Sequence, residues 1–284
     1  MPDIIKPELL EASILYARFA SAAYSDQTVK SRTGLEKFQN ELRMSPDTGM
    51  GNKTDTQALL GLWGDDIVIA FRGTQTVADW ISDANSILVP NTNGVGKLHR
   101  GFKTAGDSIY VDVIKFIRNM QPKSTSRLYL CGHSLGGALA LAMASRLTAG
   151  PHVLMVGPPG SQTKVTVAVP TIAGVFTYGA PRVGDDAFQK EYTAKLSAVT
   201  TNWAAGEDPV PQVPLFKDGY RHAVDKRFTL RQNAIGVASV DSLDDIHQRS
   251  FFGSLRELFG SSDVSKHSME NSYIPQLETA KKNG

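Results

Sequence analysis

Cysteine is nearly absent from this chain. Its 284 residues hold a single one, Cys131, which excludes an intrachain disulfide and tolerates a reducing compartment. An excess of either charge is missing too: 30 Lys and Arg stand against 28 Asp and Glu, leaving a formal net charge of +2. So even a balance gives no electrostatic reason to expect nucleic acid or another polyanion as partner. Long hydrophobic runs do not occur, and none approaches the ~20 apolar residues of a transmembrane helix. The first ten residues carry Asp3, Lys6 and Glu8 and lack a basic cap followed by an apolar stretch, so no secretory leader is visible. The expectation is a cytoplasmic chain, or one exported by a route that leaves no such mark.

What is present describes a globule with a sizeable core: 41% of the residues are hydrophobic and 20% charged. With no internal repeat, low-complexity tract or dividing linker, residues 1–284 read as a single domain. Apolar side chains at helical spacing (Leu10, Ile14, Ala17, Ala20) predict a helix from Pro7 to about Tyr24, followed by a polar, turn-rich stretch from Ser25 to Lys53. Thr56–Trp63 and Asp66–Phe71 flank the turn Gly64-Asp65 and predict a hairpin. Further strands are expected at Leu128–Cys131, Val175–Tyr178, Ala198–Trp203, Tyr220–His222 and Arg227–Leu230. Helices are expected at Gly101–Met120, Leu135–Ala149, Asp185–Leu196, Phe251–Phe259 and Ser268–Thr279. Alternation of the two kinds through the middle implies an α/β fold, a mostly parallel sheet with helices on both faces. Between them, Gly150–Thr171 reads as an inserted hairpin around Gly157-Pro158-Pro159-Gly160, a surface excursion by default.

One stretch carries chemistry. Gly132-His133-Ser134-Leu135-Gly136, with Gly137 beyond it, follows an apolar strand and opens a small-residue helix. Glycines around a serine suit a sharp strand-to-helix turn where neighbouring chains leave no room for a β-carbon. Such a turn lifts the serine hydroxyl above the sheet edge, at the positive end of a helix. A nucleophilic serine needs a base, a carboxylate to orient the base, and donors for the developing oxyanion. In this architecture they follow in the order serine, acid, histidine. Asp208, in Gly206-Glu207-Asp208-Pro209, comes directly after a strand and so falls at the Ser134 edge of a parallel sheet; Glu207, Asp185 and Asp218 are rivals. His267, just before the last helix, is preferred as base over His222, which reads as a hydrogen-bonded core residue, and His247, which lies among charges. Thr74, beyond the strand end Phe71-Arg72-Gly73, and the Leu135 N–H are the candidate oxyanion donors. Arg72 reads as an anchor for that loop, His133 as a packed side chain without a catalytic role, and Cys131 as apolar filler.

These fragments, taken in order, resemble the class 3 lipase family, the fungal-type triacylglycerol lipases of the α/β-hydrolase fold. The matching pieces are Tyr16-Ala17 to Ala23-Tyr24, Phe71-Arg72-Gly73-Thr74, Asp79-Trp80 and His99-Arg100-Gly101-Phe102. They continue with Gly132 to Gly137, Phe176 to Gly184, Asp208-Pro209-Val210-Pro211 and His267 to Tyr273. The resemblance implies Ser134 as nucleophile, Asp208 as orienting acid, His267 as base, and Thr74 with Leu135 as oxyanion donors, with no metal or cofactor. It also implies a lid over the serine between about residues 75 and 98, where Val77, Trp80, Ile81 and Leu88 supply apolar surface. An apolar lid face gains about 25 cal/mol per Å² on burial in lipid, so a lipid–water interface is the expected site of action. Two departures stand out. The fungal enzymes are secreted and disulfide-bonded, so this chain looks more like a bacterial branch, and the Gly150–Thr171 insertion exceeds the family's usual connection.

The first expectation is therefore hydrolysis of acylglycerol esters through an acyl-serine intermediate. Phospholipase A1 and feruloyl-type esterase are the alternatives within the same chemistry. From another class comes a catalytically silent lipase-like interaction protein. Acyl-chain length, positional preference and oligomeric state are not encoded legibly.

Overall fold

The fold is that of a computed structural model, which describes residues 5–25, 28–44, 56–73, 87–92, 94–206, 208–214, 218–231, 234–239 and 267–283. In chain order the elements begin with helix α1 (Pro7–Ala22) and strands β1 (Phe38–Met44), β2 (Ala58–Trp63) and β3 (Asp66–Phe71). Then come β4 (Leu88–Pro90), β5 (Lys97–His99), α2 (Arg100–Met120), β6 (Arg127–His133), α3 (Leu135–Thr148), β7 (His152–Val156) and β8 (Thr163–Val167). The remainder is β9 (Thr171–Tyr178), α4 (Asp186–Leu196), β10 (Thr200–Ala205), β11 (Lys226–Arg231), β12 (Ala234–Ser239) and α5 (Ile274–Asn283).

Eight strands form one sheet in the order β1-β2-β3-β6-β9-β10-β11-β12. The pairs β3–β6, β6–β9, β9–β10 and β10–β11 are parallel, while β1–β2, β2–β3 and β11–β12 are antiparallel. The architecture is an α/β-hydrolase fold. Strand side chains alternate between two cores. On β3 and β6, Ile67, Ile69, Leu128 and Leu130 face the core shared with α2, α3 and α4. Val68, Ala70 and Cys131 face the one shared with α1 and α5. Burial on both faces is why the central strands read as continuous apolar runs. Helix α1 is tied to the sheet at Ser13: its hydroxyl accepts from Trp203 Nε1 at 3.0 Å, and its carbonyl accepts from the Tyr178 hydroxyl. Among the described residues, no helix is long and apolar enough to cross a membrane.

Several expectations need correction. The turn-rich stretch after α1 contains β1, whose polar sequence FQNELRM hides an edge strand bulged near Asn40, where φ is 52°. Tyr220–His222 is not a strand; Arg221 makes only an isolated bridge to Gly184. The last helix opens with a π turn, Met269–Tyr273. Phe251–Phe259 lies outside the described residues. The hairpin expected within Gly150–Thr171 is present as β7–β8 and is anchored to the body: Leu154 and Val167 are buried, and His152 accepts from Tyr110 Oη at 2.7 Å and donates from Nε2 to the Leu147 carbonyl at 3.0 Å.

Of the segment expected as a lid, about residues 75–98, residues 75–86 and 93 lie outside the described residues. Leu88–Pro90 and Lys97–His99 pair as the hairpin β4–β5, docked on α4. Asp185 caps that helix by accepting from Phe188 N, and it also accepts from Lys97 N at 3.0 Å. His99 N donates to the Val183 carbonyl at 2.9 Å. Pro90 and the glycines Gly94 and Gly96 suit this hairpin.

Candidate active site

Ser134 stands where β6 gives way to α3. Its backbone adopts φ 58° and ψ −131°, a region an L-residue occupies only when its surroundings over-determine it. Here they do. A β-carbon on Gly132 would lie 2.2 Å from the Gly136 carbonyl oxygen, and one on Gly136 would lie 2.2 Å from that of Phe71. The Ser134 N–H donates to the Tyr178 carbonyl at 2.9 Å, locking the turn to β9. Leu135 is the first residue of α3, so its N–H is one of the orphan donors at a helix start.

Asp208 follows β10, at the same edge of the parallel strands as Ser134, and is 3% exposed. Its Oδ2 accepts from His267 Nδ1 at 2.7 Å, and its Oδ1 accepts from Val210 N at 2.9 Å. A third bond comes from Tyr273, whose hydroxyl donates to Asp208 Oδ2 at 2.5 Å while accepting from Ala205 N at 3.1 Å. Burial, and then the adjacent carboxylate, push the Tyr273 phenol well above its ordinary pKa, so it stays a donor. Space for this cluster comes from Gly179 (φ 61°), where a β-carbon would meet Asp208 Oδ2 at 2.6 Å and His267 Cε1 at 3.1 Å.

His267 is buried, and its ring centroid lies 4.4 Å from that of His133, the residue before Ser134. Three buried side-chain atoms here, Ser134 Oγ, His267 Nε2 and His133 Nε2, have no hydrogen-bond partner among the described residues. The first two are the atoms between which a general base would move the serine proton; such bonds commonly tighten only when substrate arrives. Burial, and then the neighbouring His267, hold His133 well below the ordinary histidine value.

The structure thus brings Ser134, Leu135, Asp208 and His267 to one sheet edge. Thr74, Val77, Trp80 and Ile81 lie outside the described residues, as do Glu207 and His247. Gly73, the neighbour of Thr74, is against the elbow: a β-carbon there would be 3.2 Å from Ser134 Cβ. Leu88 lies on β4, beside Gly219. Asp185 serves as a helix cap, Asp218 is exposed, and His222 is enclosed near Arg182 and Arg227, with burial as the main cause of its strongly lowered pKa. Tyr273, whose hydroxyl reaches Asp208, is not singled out as a site residue by the sequence reading, and Tyr24 likewise. Both fell inside motif segments already singled out, but a buried tyrosine reads as core until its hydroxyl is traced.

A family model for lipase (class 3) matches residues 68–217, more than half of the chain. The secreted mono- and diacylglycerol lipase A of Penicillium cyclopium is 27% identical over 177 residues, covering 62% of this chain and 52% of that protein. Phospholipase A1-II 3 of Oryza sativa subsp. japonica is 28% identical over 209 residues, covering 63% and 47%. The chain spans about half the length of these curated relatives. Among solved structures, lipase II from Rhizopus niveus superposes with a TM-score of 0.66 at 19% identity, covering 85% of this chain and 91% of that one. At that identity the likeness shows the fold.

Proposed function

The chain belongs to the class 3 lipase family, and from that premise we propose that it is a serine carboxylic-ester hydrolase cleaving acylglycerol esters through an acyl-serine intermediate. The observation that supports this reading is the strained Ser134 elbow at the same sheet edge as the buried Asp208–His267 pair, which is joined at 2.7 Å and has the His267 ring 4.4 Å from that of His133.

Ser134 Oγ attacks the ester carbonyl as His267 Nε2 takes its proton. Asp208 holds the Nδ1–H and offsets the charge that the imidazolium acquires. The tetrahedral oxyanion is received by the Leu135 N–H and by Thr74, each donor worth roughly 3 kcal/mol of barrier. His267 then returns the proton to the leaving alkoxide, and water repeats the cycle to free the acid. Val77, Trp80 and Ile81 supply the apolar face of a lid, and the β4–β5 hairpin, with Leu88 at its base, forms the fixed frame on its carboxyl side.

The test sets a chain-length series of nitrophenyl esters beside emulsified triacylglycerol, a phospholipid and a feruloyl ester. The expected result is turnover of acylglycerol that rises once substrate exceeds its solubility limit. Preference for the phospholipid would move the assignment to phospholipase A1. Folded protein that turns over none of them would leave the catalytically silent, lipase-like interaction protein.

A further inference from the structure

Tyr24, two residues beyond α1, makes contacts that the chemistry above leaves unused. Its hydroxyl oxygen accepts from Gly73 N at 3.2 Å and lies 3.0 Å from His133 Nδ1. The His133 carbonyl is farther, at 3.4 Å. A hydroxyl has one proton. With the Gly73 N–H donating to its oxygen, the nearer acceptor for that proton is His133 Nδ1. Donated there, it leaves the ring proton of His133 on Nε2. Tyr24 thus stands between the residue preceding Thr74 and the residue preceding Ser134. The arrangement is tight: a β-carbon on Gly73 would lie 2.3 Å from the Tyr24 oxygen and 2.8 Å from the His133 carbonyl oxygen. Arg72 closes it from the β3 side, with its guanidinium 5.8 Å from the Tyr24 ring centre and its backbone N–H on the Gln57 carbonyl at 3.0 Å.

We propose that Tyr24 is a positioning residue, its hydroxyl setting the Gly73–Thr74 segment and the Ser134 elbow at the separation the oxyanion requires, and fixing His133 as the Nε2-protonated tautomer. The inference rests on the reading of Ser134 as nucleophile and Thr74 as oxyanion donor. It follows from a simple constraint. The elbow is held by backbone contacts to β3 and β9, whereas on the other side Arg72 N still reaches the Gln57 carbonyl but the next N–H, of Gly73, turns to the Tyr24 hydroxyl, so its approach to Ser134 rests on that tie. A neutral His133 also places no second cation beside His267 when the base takes up the serine proton.

Tyr24→Phe keeps the ring and its contact with Arg72 and removes only the hydroxyl. A displaced oxyanion donor should lower kcat on a soluble nitrophenyl ester by about tenfold, with KM within about twofold. Affinity for a trifluoromethyl ketone, which forms a tetrahedral adduct on the serine, should fall in step with kcat/KM. A purely structural tyrosine would lower the thermal midpoint and move neither. Folded Tyr24→Phe with wild-type kcat, or with unaltered ketone affinity, would overturn the proposal. If the variant does not fold, the ring nitrogen shifts of His133 in the wild-type protein decide instead: a proton on Nε2 supports the tie, and one on Nδ1 refutes it. Ser134→Ala is the control. If it still turns over ester, the hydrolase reading itself fails; if it is dead while Tyr24→Phe is unimpaired, only this inference does.

Discussion

The two halves of the site are held by different forces. The elbow at Ser134 is fixed by backbone meeting backbone: Gly132 against Gly136, and Gly136 against Phe71, at separations that leave no room for a β-carbon. The proposed acid–base arm is fixed by hydrogen bonds that converge on the Asp208 carboxylate from the His267 and Tyr273 side chains and the Val210 backbone N–H. Steric exclusion is all-or-none, whereas a hydrogen-bonded cluster loses its members one at a time. Substitutions that crowd the first half should therefore act as switches, and loss of a single donor to Asp208 in the second as a graded adjustment.

The largest expected effect removes the proposed nucleophile. Ser134→Ala should cut turnover by about 10⁵–10⁶-fold with an unchanged circular dichroism spectrum, which would confirm that the hydroxyl is not what holds the turn. Next comes the acid. Asp208→Asn should cost about 10⁴-fold in kcat, read from initial rates on a soluble ester. Were it to cost less than tenfold, the arm would not depend on its carboxylate. Gly136→Ala strikes the other half through stability instead. A β-carbon 2.2 Å from the Phe71 carbonyl oxygen should destabilise the fold by several kcal/mol, about 3–5, measurable by urea unfolding if the protein is recovered at all. Tyr273→Phe sharpens the contrast from the graded side: one of the donors to Asp208 is lost, and a fall of about tenfold in kcat is expected, near the 1.4 kcal/mol of a modest hydrogen bond to a charged group.

The smallest effect concerns pH. Burial holds His133 and His222 well below 6.5 and lowers His99 to about 4. The unfolded chain binds protons on these residues from about pH 6.5 downward, while the folded chain does not. Their contribution to stability is thus complete above about 6.5 and lost as pH falls toward each folded value, at up to about 1.4 kcal/mol per pH unit for each group. Thermal midpoints should drop between pH 7 and 5, and His222→Gln should flatten that slope without touching kcat.

The difference between the halves also explains what could be read from residue order. Steric exclusion writes itself locally: Gly132, Gly136 and Gly137 crowd one serine, and no other residue type fits. Ser134 and the central strands were legible for that reason, as was Asp208, because a loop after a parallel strand must fall at the same edge. The hydrogen-bonded arm writes itself at long range. Tyr273 meets Asp208 across 65 residues, and Tyr24 meets His133 across 109, so neither pairing has a local pattern. In the fold, β1 was invisible because an edge strand with one bulge carries few apolar residues. Its counterpart β12, at the other edge, hid in a short run broken by Gly236.

The most direct measurement is covalent labelling with a fluorophosphonate, followed by peptide mass spectrometry. One adduct is expected, on Ser134, absent from Ser134→Ala and formed far more slowly in His267→Ala. An adduct on another residue, or full-rate labelling of Ser134 once the His267 imidazole is gone, would contradict the proposed assignment.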